Sequence, residues 1–318
     1  MYSVFRSPIT FVLLLLPLTI AKLPWERTAS DGYGTLTTSS MNDGTVLRAV
    51  FNNPPINLYN YKLINDLYDL LLTLVPLNDT TLPPAPKVVI FASANPDFWI
   101  AHYDLHIIST AEPEFNATYS SELGTTYVET VGLLHSLPTI FIGEINGRAF
   151  GAGSEIAVQL DMRFSGPNTL LGSLEVALGV IHGNGGSQYL TRLIGPGYAA
   201  EYLYSSGTID ATEAARIGWV NRAYGSGEEL TDAVNQLASR IATFSAAALN
   251  GTKVSIQSAG PSREALEADL DTFTRLASQP IAQELVEKFF ELSYNQSLGT
   301  FELGLDGDLV ELYPVSGN

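Results

Sequence analysis

The apolar positions of this chain fall into two periods: short blocks suited to strands and longer stretches with a helical stripe. Residues 45–51 (TVLRAVF) alternate well enough for a strand, and Asn52-Asn53-Pro54-Pro55 ends it. Residues 61–74 set Ile64, Leu67, Leu71 and Leu74 along one side of a helix. A proline-rich loop over 78–86 leads to 87–93 (KVVIFAS), whose unbroken apolar character predicts a buried strand. The order continues with a helix over 119–135, a strand over 139–145 (TIFIGEI), a helix over 153–160 and a short strand over 162–165. This alternation predicts an α/β domain whose crossovers join roughly parallel strands.

From Gly186 onward helical patterning dominates, over 187–194, 199–204, 211–216, 227–245 and 262–294. The expected organisation is a leader over 1–21, a Ser/Thr/Gly-rich linker over 22–44, a core over 45–225, a helical region over 226–299 and an acidic tail over 300–318 with little core-forming power. No internal sequence repeat is visible.

Composition narrows the possibilities. The 318 residues are 46% hydrophobic and only 15% charged, with mean hydropathy +0.13, which fits a globular protein with a sizeable core. Acidic residues outnumber basic ones 33 to 16, and no basic stripe is present to neutralise phosphates, so nucleic acid and anionic membranes are poor partners. Cysteine is absent, which excludes disulfides, thiolate nucleophiles and cysteine metal sites.

The amino terminus supplies Arg6, an apolar run from Ile9 to Ile20, and Thr19-Ile20-Ala21 as a cleavage site. The run is short and holds Pro17, so it fits a secretory signal peptide better than a membrane span. Sequons at Asn78, Asn116, Asn250 and Asn295 are candidate glycosylation sites that accord with a secreted protein.

The chemistry is concentrated in 145–188, INGRAFGAGSEIAVQLDMRFSGPNTLLGSLEVALGVIHGNGGSQ. Glu155 opens a helix behind one glycine-rich turn, and Glu175 stands beside a second. Two carboxylates near backbone N–H donors can move protons next to a carbonyl whose oxygen gathers negative charge. A purely structural role is the competing reading, with Glu155 as a helix cap and Glu175 as an acceptor of local backbone hydrogen bonds. Other chemistries have less support. Ser154 lacks a G-x-S-x-G frame and would need a histidine beside it. No H-E-x-x-H, EF-hand or P-loop pattern is present, and no metal site is expected. Gly183 to Gly186 reads as a tight turn before a helix.

Several separated pieces resemble one family. Asn53-Pro54-Pro55-Ile56-Asn57 resembles the N-x-P-x-N turn of crotonase-fold proteins, the enoyl-CoA hydratase/isomerase superfamily. Phe98 to Leu105 looks like its F-x-A-G-x-D-L loop. Leu137-Pro138-Thr139-Ile140 with Ile145-Asn146-Gly147 resembles its K-P-V-I-A-A-V-N-G strand. Gly151-Ala152-Gly153-Ser154-Glu155 resembles G-G-G-x-E, and Leu174-Glu175 through Gly186 resembles P-E-x-x-x-G-x-x-P-G-x-G-G. Residues 209–220 (IDATEAARIGWV) are similar to I-x-A-x-E-A-x-x-x-G-L-V. The resemblance covers about 47–223, and order and spacing together make it specific.

The resemblance implies a crotonase-like α/β fold of repeated ββα units, with a helical C-terminal trimerisation region and a homotrimer or hexamer. It implies Glu155 and Glu175 as the acid/base pair, and the backbone N–H groups of Tyr103 and Ala152 as an oxyanion hole. Ala101, His102, Gly151, Gly153 and His182 are the substrate-binding candidates. The reaction implied is hydration, dehydration or double-bond migration on an acyl thioester, with coenzyme A as part of the substrate and no permanently bound cofactor. His102 replaces the family's glycine, and His182 its proline; His106 and His135 read as structural. The basic residues expected to meet coenzyme A are sparse, with Lys62, Lys87 and Lys288 the nearest candidates. A non-CoA carbonyl metabolite and a non-catalytic scaffold role therefore stand as alternatives.

Overall fold

The computed structural model describes residues 32–76, 84–111 and 117–313; the expected leader and the sequons at Asn78 and Asn116 lie outside them. A hairpin of β1 (Leu36–Met41) and β2 (Val46–Phe51) opens the fold, followed by α1 (Tyr61–Thr73). Three units then repeat one order: β3 (Val88–Ser93), β4 (Phe98–Ile100) and α2 (Ala117–Ser136); β5 (Ile140–Ile145), β6 (Arg148–Phe150) and α3 (Ala152–Gln159); β7 (Met162–Ser165), β8 (Leu170–Gly172) and α4 (Gly186–Ser205). β9 (Thr208–Asp210), α5 (Ala211–Ile217) and β10 (Arg222–Ala223) complete the sheets. The helices α6 (Gly227–Ala242), α7 (Ala246–Gln257), α8 (Arg263–Ala277) and α9 (Pro280–Leu292), with the short α10 (Thr300–Leu303) and α11 (Leu305–Asp308), form the remainder.

In each repeated unit the first strand joins one sheet and the second strand joins another. The larger sheet runs β1-β2-β3-β5-β7-β10 and the smaller β4-β6-β8-β9. All pairs are parallel except β1·β2 and β8·β9. The ββα units implied by the family resemblance are therefore present, although the sequence shows no repeat. What recurs is a geometric relation between strands, which different side chains can satisfy.

The larger sheet is apolar on both faces, as the unbroken run in β3 predicts. Val88 and Ile90 face Leu230, Val234 and Ala238 of α6, while Val89 and Phe91 face the helices α1 to α3. Phe51, Phe91 and Phe141 stack across three neighbouring strands with ring centroids 5.7 and 5.9 Å apart. Among the described residues, no helix is long and apolar enough to cross a membrane.

Four sequence expectations need correction. Leu36–Met41, expected within a linker, is an edge strand; its two β-branched Thr side chains favour extended backbone, and edge position removes the need for an apolar alternation. The acidic tail has core-forming power after all: Phe301, Leu305, Leu309 and Leu312 recur at helical spacing and are buried against α9 and the turn after β8. The single helix expected over 262–294 is two, because Pro280 starts α9 and cannot donate into a preceding turn. Finally, α7 was not expected, since it lacks an apolar stripe on a buried face: Val254 and Ile256 are exposed, and the buried side chain is Lys253, paired with Asp161 at 2.9 Å.

Candidate active site

A cavity of about 890 Å³ lies where the smaller sheet, the start of α3 and helices α2 and α8 converge. Its wall includes His102, Tyr103, Gly151, Ala152, Glu155 and Glu175, so the structure brings together six of the residues singled out by sequence. Apolar side chains such as Leu105, Leu178 and Phe289 line one part, and Ser120, Ser121 and Thr125 of α2 another.

The loop carrying Tyr103 is fixed from the side of the Asn-x-Pro-x-Asn turn. Asn57 sits at φ 54 and donates through Nδ2 to the carbonyls of Phe98 and Trp99 at 3.2 and 3.1 Å. Tyr59 N–H donates to the His102 carbonyl (2.8 Å), and Asp104 N–H donates to the Tyr59 carbonyl (3.3 Å). That is the pattern of a parallel bridge between Tyr59 and Tyr103, in which Tyr103 turns its own N–H away from Tyr59.

On the facing side, Gly151 enters α3 at φ 48, a conformation most side chains resist. Gly153 allows α3 to start against β4: a Cβ there would lie 2.2 Å from the Ile100 carbonyl oxygen. Ala152 is the first residue of α3, so its N–H has no intrahelical acceptor and carries the positive end of the helix dipole into the cavity wall.

Glu155 and Glu175 are both buried, at 4% and 8% exposure. Glu155 Oε1 accepts from the N–H groups of Asn184 (2.9 Å) and Gly186 (3.0 Å), and Oε2 accepts from the Tyr127 hydroxyl at 3.3 Å. Burial pushes its carboxyl up to about 7; His182 pulls downward, Glu175 pushes further up, and the two N–H donors pull down. Burial likewise pushes Glu175 up to about 7, against its own and Leu174's backbone N–H and against His102. His182 Nε2 lies 3.1 Å from Glu175 Oε2 but off the line of a hydrogen bond, and reaches Ser173 Oγ at 3.1 Å. Glu175 Oε2 is thus a buried carboxyl oxygen without a hydrogen bond. Hydrogen bonding to local backbone therefore accounts for part of Glu155 and leaves an oxygen of Glu175 unexplained by structure alone.

The other predicted positions separate. Gly151 lines the cavity, whereas Ala101 packs behind it on Ile56 and Phe98, and Gly153 is occupied with Ile100. His182 is buried, held between Ser173 and Ser187 (3.1 Å each), and burial lowers its pKa against the pull of Glu155 and Asp269. These three act on the site from behind its wall, because their atoms are spent on packing and local hydrogen bonds. His135 receives the Tyr189 hydroxyl and donates to the Gln159 carbonyl, and burial lowers its pKa to about 4. His106 bonds to Asp104 and Asn295. With all four histidines engaged elsewhere, Ser154 has no base and the hydrolase reading falls.

The lysines expected near a coenzyme lie outside the cavity wall. Lys87 donates to the carbonyls of Ala242 and Phe244 (2.9 and 2.8 Å), which makes it a helix-end tether. Sequence reasoning missed the cations that do line the cavity, Arg263 and Arg275 of α8. No local motif marks them; only the fold shows that α8 roofs the cavity of its own chain.

Comparison with known proteins follows the same line. The sequence profile described as enoyl-CoA hydratase/isomerase matches residues 42–296. A crotonyl-CoA hydratase from Syntrophomonas wolfei is 31% identical over 188 residues, spanning 59% of this chain and 68% of that protein. A short-chain-enoyl-CoA hydratase from Clostridium acetobutylicum is 31% identical over 170 residues, 54% of this chain and 62% of that protein. The crystal structure of a candidate enoyl-CoA hydratase from Streptomyces avermitilis superposes with TM-score 0.78 at 36% identity, covering 89% of this chain and 98% of that one.

Proposed function

This chain belongs to the enoyl-CoA hydratase/isomerase family and is an enzyme of that type; we propose that it adds or removes water across a double bond conjugated to an acyl-thioester carbonyl. The observation that carries this reading is the pairing of Glu155 and Glu175, two buried carboxyls both pushed up to about 7 on one cavity wall. At neutral pH two such neighbours hold one proton between them more readily than two charges. In the hydration direction the ionised member takes a proton from water as its oxygen bonds to the β carbon, and the protonated member delivers a proton to the α carbon. The electron pair passes through the enolate, whose oxygen accepts from the N–H groups of Ala152 and Tyr103. Two carboxyls also serve a two-base double-bond shift, which is the closest variant of the same chemistry.

Coenzyme A as the thioester group is part of this proposal. Arg263 and Arg275, together with the hydroxyls of Ser120, Ser121 and Thr125, give the cavity the groups that would meet its polar portions. The convergence of both glutamates on one open cavity speaks against a scaffold role. The test is loss of conjugated-thioester absorbance with short enoyl-CoA esters. A kcat that peaks near neutral pH and falls on both sides is expected, because one carboxyl must be ionised and the other protonated. Absence of both turnover and coenzyme A binding would direct the search to non-CoA carbonyl compounds.

We also propose passage through the secretory pathway and assembly as a homotrimer or hexamer. The leader pattern over 1–21 supports the first, and an exposed sequon asparagine, Asn295, accords with it. The exposed apolar side chains Val254 and Ile256 on α7 support the second. Sequencing the mature amino terminus is expected to begin directly after Ala21; an intact Met1 in the mature protein would refute cleavage.

A further inference from the structure

We propose that His102, held as an imidazolium by Glu302 of the C-terminal segment, is a positioning residue of this site: it fixes the peptide bearing the Tyr103 N–H and keeps a positive charge beside Glu175. The family motif has glycine at this place, so the group belongs to this chain and not to the shared pattern.

The geometry fixes one ring proton and supplies a partner for the other. Nδ1 lies 2.9 Å from the Tyr103 carbonyl, an oxygen that can only accept, so Nδ1 carries a proton. Nε2 faces both carboxylate oxygens of Glu302, at 3.2 and 3.0 Å. Both side chains are buried, His102 at 4% exposure and Glu302 at 0%, and the ring stands edge-on to Phe289 with centroids 5.3 Å apart. A buried carboxylate needs a partner charge, and the partner here is the ring. Burial pulls the His102 pKa down, but Glu302 and, less strongly, the Tyr103 carbonyl and Asp104 overcome it and leave it raised. The charged groups that act on the ring are thus Glu302 from α10, Asp104 on its own loop, and Glu175 from the turn after β8.

The mechanical consequence follows from where the pair is anchored. The His102 carbonyl is already held by Tyr59 N–H, and the ring adds a tie to the next carbonyl, so the peptide between them is fixed on both sides. Glu302 is itself immobile, since Phe301 packs edge-on to Phe289 at 5.3 Å and Arg148 Nε donates to the Leu303 carbonyl at 3.0 Å. The C-terminal segment therefore latches the loop that carries the oxyanion donor. The electrostatic consequence follows from place: His102 and Glu175 line the same cavity and both lie against Gly151, so a fixed cation there favours the ionised form of Glu175, with burial and the local backbone N–H groups the larger influences on that carboxyl.

The inference rests on the proposed reaction for its kinetic readout and on nuclear magnetic resonance for an independent one. In the native protein the His102 imidazole is expected to hold both ring protons at pH 7, and in Glu302→Gln to lose one at a lower pH than in the native protein, because burial then acts without a countercharge. With a short enoyl-CoA ester, Glu302→Gln and His102→Gln are each expected to lower kcat roughly tenfold with KM little changed, and to move the acid limb of the profile to higher pH. The double variant is expected to be no worse than His102→Gln, as the two act as one unit. Should no enoyl thioester be turned over, the carboxyl resonance of Glu175 reports the same upward movement. A neutral His102 in the native protein at pH 7 would overturn the proposal. So would a Glu175 titration unmoved in Glu302→Gln while the melting temperature falls, since that leaves only a structural latch.

Discussion

Glutamine in place of Glu155 or Glu175 is expected to cut kcat about a hundredfold to ten-thousandfold while leaving the fold intact, the range that removal of a general acid or base typically produces. The replacement is clean at Glu155. A glutamine carbonyl oxygen can accept from Asn184 and Gly186 N–H as Oε1 does, and its amide can face the Tyr127 hydroxyl. What is lost is the exchangeable proton. At Glu175 the amide meets His182 and the cavity with the same volume, and again only proton transfer is removed.

The same variants carry a stability signature of opposite sign to their effect on activity. Both carboxyls are raised from 4.5 to about 7 by folding, so the folded protein binds these protons more tightly than the unfolded chain. Their contribution is fully present below about pH 4.5 and is lost as pH rises through about 7, which makes ionisation of the native pair a cost to stability. Glutamine never ionises. The variants are therefore expected to melt higher than the native protein at about pH 8, with the advantage gone near pH 4.5. A folded Glu155→Gln or Glu175→Gln enzyme with native kcat would remove that residue from the acid/base role, and an unchanged pH dependence of melting would show that burial does not load these carboxyls.

Much of this site was legible in the sequence because its parts depend on backbone geometry. Turns that need positive φ or close approach require glycine, and so Gly151 and Gly153 mark the start of α3 and point to Glu155 two residues later. The core strands were equally legible, since burial on both faces of the larger sheet forces an unbroken apolar run. The second sheet was not. Its strands are three residues long, too short to show any period, and they are defined by pairing between segments far apart in the chain. Arg263, Arg275 and Glu302 were hidden for a related reason: they reach the site from the C-terminal helices, and nothing local says where those helices pack. Net acidity also misled, because counting charges over 300–318 hid an apolar stripe that occupies every third or fourth place.

Alanine at Gly153 tests the oxyanion geometry itself and is expected to lower kcat about a hundredfold or more, with a lower melting temperature. The new Cβ would lie 2.2 Å from the Ile100 carbonyl oxygen and 3.0 Å from its carbon, and neither is the end of a flexible side chain. Helix propensity favours alanine over glycine by only about 1 kcal/mol. Forcing an extra methyl into closed packing costs about 1–3 kcal/mol or more, so the clash wins. Relief requires the start of α3 to move off β4, and that motion separates Ala152 on the helix from Tyr103 on the loop that continues β4. An enolate oxygen could then no longer meet both donors, and loss of one is worth about 2.7–4 kcal/mol of barrier. Gly132→Ala in α2 supplies the control, because a Cβ there meets nothing within 4 Å. It is expected to raise the melting temperature and leave kcat unchanged. If Gly153→Ala folds and keeps native kcat, the spacing of α3 from β4 does not set the oxyanion site, and charge stabilisation must come from elsewhere in the cavity, whose wall also carries His102, Arg263 and Arg275.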